Sequence, residues 1–394
     1  MAPGQMWEIV GGADKGGILV REGADVKSTQ TAERLSTGAL VEEIELQGER
    51  LNYKRITGTG PEVGWVAIKL PGKDLAIPTD KKPRAPPPTA VGPNGEAPLP
   101  VALFFPGQGS QYVKMLSGVQ DIPAVKEMLK KANDILGYDI LDVCLNGPEE
   151  KLEETRYCQP AMFIGGLAGI EKLRAEKPDA VHRCSVMAGL SLGEYTALCA
   201  AGVMSFEDGL KLVKLRGEAM QEAAAAGKQA MLSVAGLDFV QLDSLCKAAA
   251  KSTGGVCQIA NCLFPKGYSV GGNEDAINQL KDAAEKAGAL QAKILKTAGA
   301  FHTPLMQPAQ DKLTAALEAT LPNMKPPMHT VWMNASAEPM RPGCDPKDIV
   351  ALLKKQLTCS VLWEQSCQEI IKEGVTEFYE VGPMKQLKAM MKRI

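Results

Sequence analysis

Apolar and polar positions change their period along this chain, and the changes divide it. Within residues 1–74 short apolar runs alternate with Gly, Asp, Ser and Pro: Ile18-Leu-Val-Arg21, Leu40-Val-Glu-Glu-Ile44, Leu51-Asn-Tyr-Lys-Arg-Ile56 and Gly64-Trp-Val-Ala-Ile68. Short strands bounded by turn formers at this spacing predict a small all-β, barrel-like module. Over 75–98 the pattern gives way to Asp80-Lys-Lys-Pro-Arg-Ala-Pro-Pro-Pro-Thr and Gly92-Pro-Asn-Gly95, the composition of a semi-stiff linker. From 99 to 394 apolar strands alternate with 3.6-period helical stretches, the signature of an α/β domain. Val101–Phe105 reads as a buried strand, and helical patterns follow at 121–136, 161–174, 194–201 and 206–226.

A different rhythm occupies 228–297. Strand patterns at 230–235, 258–262, 268–272 and 291–296 enclose helical patterns at 238–252 and 274–287. The order βαββαβ is that of a ferredoxin-like unit, read here as a self-contained subdomain inserted over a cleft.

Composition narrows the function classes. A length of 394 residues allows two or three domains and a large core. A net charge of −2 lacks the basic excess of nucleic-acid binders. No apolar run reaches the ~18 residues a membrane-spanning helix needs. The 10 cysteines are scattered without a C-x-x-C pair, which predicts free thiols in a reducing compartment and no zinc site. Met1–Trp7 carries no apolar signal-peptide region.

The candidate chemistry centres on Gly189-Leu-Ser191-Leu-Gly193, between an apolar run and a helix-compatible stretch. A serine pushed out of a sharp strand-to-helix turn needs room two residues to either side, which glycine supplies. The N–H of Leu192 would then point where an oxyanion forms. The same five residues also suit an ordinary tight turn. Pro106-Gly-Gln108-Gly-Ser-Gln111 follows a strand and would offer free N–H groups, although it lacks the ending of a phosphate loop.

Arg216 lies beside Leu212, Val213 and Leu215 on a helix, either on a solvated face or in the core. Of three histidines, His182 and His329 read as strand entries. His302 sits in a Gly/Ala-rich segment from which a loop could return to the serine and exchange its proton. Lys355-Gln356 reads as a helix end, and Phe378–Val381 as a buried strand closing on Gly382-Pro383.

Taken together, Phe104-Phe-Pro-Gly-Gln-Gly-Ser-Gln, Gln159-Pro-Ala, Gly-Leu-Ser-Leu-Gly-Glu, Leu215-Arg-Gly-Glu-Ala-Met-Gln, Ala300-Phe-His-Thr, Gln356-Leu-Thr and Glu380-Val-Gly-Pro occur in one order over 100–394. That series resembles the malonyl-CoA:acyl-carrier-protein transacylases. Leu190, where many bacterial members have His, resembles plant plastid members. The first 74 residues loosely resemble bacterial-type Src-homology-3-like barrels.

The resemblance implies an α/β-hydrolase-like core with a parallel sheet and an inserted ferredoxin-like subdomain. It implies Ser191 as nucleophile, His302 as base, Gln108 and Leu192 as oxyanion N–H donors, and Gln356 orienting His302 through its carbonyl. Arg216 would grip the malonyl carboxylate, with Phe301, Gln159 and Asn261 also binding substrate. The implied reaction is ping-pong transfer of malonyl from malonyl-CoA to the phosphopantetheine thiol of acyl carrier protein, feeding fatty-acid synthesis, with no cofactor or metal. Ser360 stands where a proline is common, leaving the Gln356 loop open. A plastid stromal location follows from spelling alone; otherwise the expectation is cytoplasmic. The rivals are a serine esterase or thioesterase and an assembly protein docking an unknown partner through the N-terminal module. Neither nucleic acid nor a membrane span is expected.

Overall fold

The computed structural model describes residues 5–12, 17–56, 60–79, 96–297 and 299–394. The chain forms two compact units, Met1–Pro88 and Thr89–Ile394.

The first unit is a seven-stranded, wholly antiparallel sheet. Its spatial order is Gln30–Leu35, Ile18–Arg21, Val63–Ala67, Arg50–Arg55, Leu40–Gln47, Met6–Ile9, Ala76–Pro78. Alternation places Trp7, Ile9, Ile18, Val20, Leu51 and Tyr53 in one small core. Four of these strands were expected. Gln30–Leu35 escaped notice because its residues are mostly polar. The expected module end at 74 is also too early, since Ala76–Pro78 pairs with Met6–Ile9 and completes the sheet. The Pro-rich residues 80–95 lie outside the described residues.

In the second unit the central sheet runs Pro339–Met340, Thr330–Trp332, Cys184–Gly189, Leu99–Phe105, Glu377–Glu380. All neighbours are parallel except the Pro339–Met340 edge. Val101–Phe105 and Val186–Gly189 are buried throughout, as strands covered on both faces must be. Glu377–Glu380 is only half-buried, against expectation, because it pairs on one side alone. The helix expected from 161 begins at Thr155 and runs through Pro160. Burial of every residue from 158 to 168 outweighs the hydrogen bond that the proline forfeits. His182 ends a short helix, Pro178–His182, and is exposed; it does not begin a strand.

Residues 228–297 show the predicted alternation, with helices Phe239–Thr253 and Glu274–Lys286 covering an antiparallel sheet. That sheet is not self-contained. Its order is Gln291–Ile294, Gln229–Ala235, Gly267–Asn273, Cys257–Phe264, Val361–Leu362, and the last strand comes from far down the chain. Val361 pairs in parallel with Asn261, and Ser360 Oγ donates to the Ile259 carbonyl at 2.5 Å. Ser360 thus ties the segment after Gln356 to the insert.

All 10 cysteines are free thiols. No helix among the described residues is long and apolar enough to cross a membrane.

Leu103 is fully buried in the central sheet, so Leu103→Ala should lower the stability of the second unit by about 2–5 kcal/mol. Urea unfolding, followed by a probe of that unit, measures the loss.

Candidate active site

The Cys184–Gly189 strand delivers the chain into a turn that only glycines can flank. A Cβ on Gly189 would lie 1.9 Å from the Gly193 carbonyl carbon, and one on Gly193 would lie 2.0 Å from the Phe105 carbonyl oxygen. Between them Ser191 takes φ 53° and ψ −103°, strained for a residue with a side chain. The helix Leu192–Ala200 begins at once. Gly107 packs against the same turn: a Cβ there would sit 2.4 Å from the Leu190 carbonyl oxygen. The N–H groups of Gln108 and Leu192 donate to no group among the described residues.

Ser191 Oγ lies 2.7 Å from His302 Nε2. His302 is 3% exposed and, like the serine, has a left-handed backbone, at φ 60°. Its Nδ1 lies 2.8 Å from the Gln356 carbonyl oxygen. A carbonyl only accepts, so Nδ1 carries the proton and Nε2 is left bare to accept from the serine hydroxyl. Gln258, from the insert, braces this arrangement by donating to the carbonyls of His302 and Thr358.

Arg216 arrives from the helix Phe206–Ala225 and is fully buried. Its Nη1 donates to Gln159 Oε1 at 2.8 Å, and its Nη2 to Gln356 Oε1 at 2.9 Å and Ser191 Oγ at 3.1 Å. Its Nε has no hydrogen-bond partner among the described residues. Among the described residues no carboxylate lies within ion-pair distance of this cation. The guanidinium also lies over the Tyr195 ring, 5.4 Å from its centre. Burial first, and then the charge of Arg216, push the His302 imidazole down to about 4, against the pull of the Gln356 carbonyl. At neutral pH the histidine is therefore an unprotonated base next to a hydroxyl.

Ser191, His302, Arg216, Gln356 and Gln159 thus form one hydrogen-bonded cluster. Leu192 and Gln108 adjoin it through their backbones, while the Gln108 side chain turns to Thr155 Oγ1. Phe301 is buried in the main core, next to His302 in the chain. Asn261 does not join the cluster; its amide donates to Ser269 Oγ on the neighbouring strand of the insert.

Two cluster residues escaped the sequence reading. Glu194 is 1% exposed and accepts from the Asn334 N–H and from Gln356 Nε2. Burial raises its carboxyl to about 7, opposed by the Asn334 N–H, Arg216 and Gln356. Asn334 Oδ1 accepts from the Ser191 N–H at 2.7 Å, and its Nδ2 donates to the Gly189 carbonyl at 2.8 Å. An acid in the mostly apolar Leu192–Ala200 helix was the available signal for the first. A polar residue just past a buried parallel strand was the signal for the second.

The acyl transferase domain family matches residues 103–393 of the chain. The chain is 41% identical over 300 residues to the mitochondrial malonyl-CoA-acyl carrier protein transacylase of Homo sapiens, covering 74% of this chain and 76% of that protein. It is 37% identical over 298 residues to the malonyl CoA-acyl carrier protein transacylase of Haemophilus influenzae, covering 74% and 91%. Among solved structures, one similar chain comes from a type II PKS acyl-carrier protein in complex with its malonyl-transacylase. It superposes with TM-score 0.69 at 35% identity, over 75% of this chain and 92% of that one. The malonyl CoA-acyl carrier protein transacylase from Coxiella burnetii gives TM-score 0.69 at 34% identity, over 75% and 91%.

Between pH 6.5, the ordinary imidazole value, and about 4, the unfolded chain binds a proton that folded His302 refuses. The stability gained by keeping His302 neutral is therefore complete above 6.5 and is lost as pH falls toward 4. Urea unfolding at pH 7 and pH 5 should show wild type losing more stability than His302→Ala. An equal loss would contradict the buried, neutral histidine.

Proposed function

The chain belongs to the acyl transferase family, among the malonyl-CoA–acyl carrier protein transacylases, and from that premise we propose how its buried serine performs the transfer. The enzyme moves the malonyl group from malonyl-CoA to acyl carrier protein, supplying fatty-acid synthesis.

In the proposed first half-reaction Ser191 Oγ attacks the thioester carbonyl carbon while its proton passes to His302 Nε2. The carbonyl oxygen becomes an oxyanion facing the N–H groups of Gln108 and Leu192. Collapse breaks the C–S bond, and the departing CoA thiolate takes the proton from His302. A malonyl-Ser191 ester remains. In the second half the phosphopantetheine thiol of acyl carrier protein gives its proton to His302 and attacks that ester. Ser191 leaves as an alkoxide and recovers the proton. Side chains, backbone N–H groups and the thioester supply this chemistry.

One observation carries the malonyl assignment: a fully buried guanidinium, 3.1 Å from the nucleophile, whose hydrogen bonds go only to neutral oxygens. A buried cation without an anion favours an acyl group that brings one, and a planar guanidinium suits a carboxylate. An esterase acting on neutral esters has no use for it. Phe301, next to His302, would crowd an α-methyl branch, a graded preference of ~1–3 kcal/mol.

Finer structural readings belong to the same proposal. The strand–serine–helix turn on a mainly parallel sheet supports a hydrolase-like core. The four-stranded part of the insert, with its two helices on antiparallel strands, supports the ferredoxin-like reading. The antiparallel first unit is consistent with a Src-homology-3-like module and a docking role. The relatives named above are mitochondrial or bacterial, and the plastid location suggested by the Gly-Leu-Ser-Leu-Gly spelling has no support among them.

Intact mass after brief incubation with malonyl-CoA should show a malonyl-sized increment on wild type, none on Ser191→Ala, and its discharge by acyl carrier protein. No increment on folded wild type would overturn the proposal. Arg216→Ala should slow malonyl loading by about 10²- to 10³-fold, equivalent to roughly 3–4 kcal/mol for a lost buried charge contact. Acetyl loading, measured the same way, should change far less. A chain starting at Thr89 should retain the transfer rate if the first unit serves docking alone.

A further inference from the structure

We propose that Glu194 is a positioning residue of the transfer reaction, whose carboxylate clamps Asn334 and Gln356 and through them fixes Ser191, His302 and Arg216. The inference rests on the transacylase reading and extends it to a residue that touches no reacting atom.

A carboxylate buried to 1% exposure must be held by donors, and Glu194 has one on each oxygen. Oε1 accepts from the Asn334 N–H at 2.5 Å, and Oε2 from Gln356 Nε2 at 2.6 Å. Each donor belongs to a residue that holds the reacting groups. Asn334 accepts from the Ser191 N–H and donates to the Gly189 carbonyl, so it grips the chain as it enters the strained serine. Gln356 donates also to the Ser191 carbonyl at 2.8 Å, accepts from Arg216 through Oε1, and presents its own carbonyl to His302 Nδ1.

The direction of these bonds is what requires an acid. Both Glu194 oxygens accept, which draws the NH₂ of Gln356 toward the acid and leaves the amide oxygen facing Arg216. With the amide reversed, two donors would face each other at Arg216. A glutamine at 194 would meet two donors with one oxygen and one NH₂, and one clamp would fail. Gln356 stands between Glu194 and Arg216, and this leaves the guanidinium free to meet the acyl carboxylate.

Two arms follow, and they are separable. The Asn334 arm reaches the Ser191 turn; the Gln356 arm reaches His302 and Arg216. The test uses the full chain as wild type, Glu194→Gln and Asn334→Ala, each checked for folding by circular dichroism. One readout is the rate at which a neutral alkyl fluorophosphonate labels Ser191, which reports the serine–histidine pair with no acyl carboxylate for Arg216 to hold. The other is the ratio of malonyl to acetyl loading rates, which reports Arg216.

Glu194→Gln should lower labelling by tenfold or more and reduce the malonyl-to-acetyl ratio. Asn334→Ala should lower labelling and leave the ratio at its wild-type value. Wild-type labelling and ratio in a folded Glu194→Gln protein would overturn the proposal. If that variant does not fold, unchanged labelling or a collapsed ratio in Asn334→Ala overturns it instead. Fluorophosphonate labelling of wild type without malonyl loading would sink the transacylase reading, and the labelling comparison would still judge Glu194.

Discussion

Taking a guanidinium out of water costs several kcal/mol unless well-placed partners offset it. Arg216 is fully buried, and the partners it finds are the amide oxygens of Gln159 and Gln356 and the hydroxyl of Ser191. They satisfy hydrogen bonds but leave the charge without an ion-pair partner. Much of the surrounding arrangement can be understood as the means of holding that cation. Gln159 comes from the helix that runs through Pro160, Gln356 from a helix end tied to the insert, and Glu194 stands behind Gln356. The same charge acts on the base, adding to burial in keeping His302 unprotonated.

A second constraint is steric and sits at the turn. Gly189 and Gly193 are in contact with backbone that no Cβ could approach, and this lets the serine hydroxyl stand clear of the strand. Both partners of the Ser191–His302 hydrogen bond have left-handed backbones. Such conformations persist where neighbours over-determine them. Here the neighbours are Asn334 on the serine side, with Gln258 and the Gln356 carbonyl on the histidine side. Held from both sides, the pair meets at 2.7 Å.

The parts of the site visible in the sequence were those whose cause is local. The serine turn announces itself because its glycines are a steric necessity within five residues. The insert was readable because each of its strands and helices is long enough to carry a period. Arg216 could be read either way, since burial of a helical arginine depends on elements more than fifty residues distant, Gln159 and Gln356 among them. The two-residue strand Val361–Leu362 has no pattern of its own, so the tie between the Gln356 segment and the insert could not be foreseen. Glu194 and Asn334 find their partners 140 or more residues away in the chain. Asn261 marks the opposite case, a residue assigned by resemblance whose amide is engaged elsewhere.

The central claim is that Arg216 is kept buried, with no ion-pair partner among the described residues, to receive the carboxylate of the acyl group on Ser191. A crystal structure of the trapped malonyl-Ser191 enzyme tests it most directly. The account predicts the malonyl carboxylate within hydrogen-bond distance of the Arg216 guanidinium, with the ester carbonyl oxygen facing the N–H groups of Gln108 and Leu192. A malonyl carboxylate turned to solvent, with Arg216 still bonded only to Gln159 and Gln356, would contradict it.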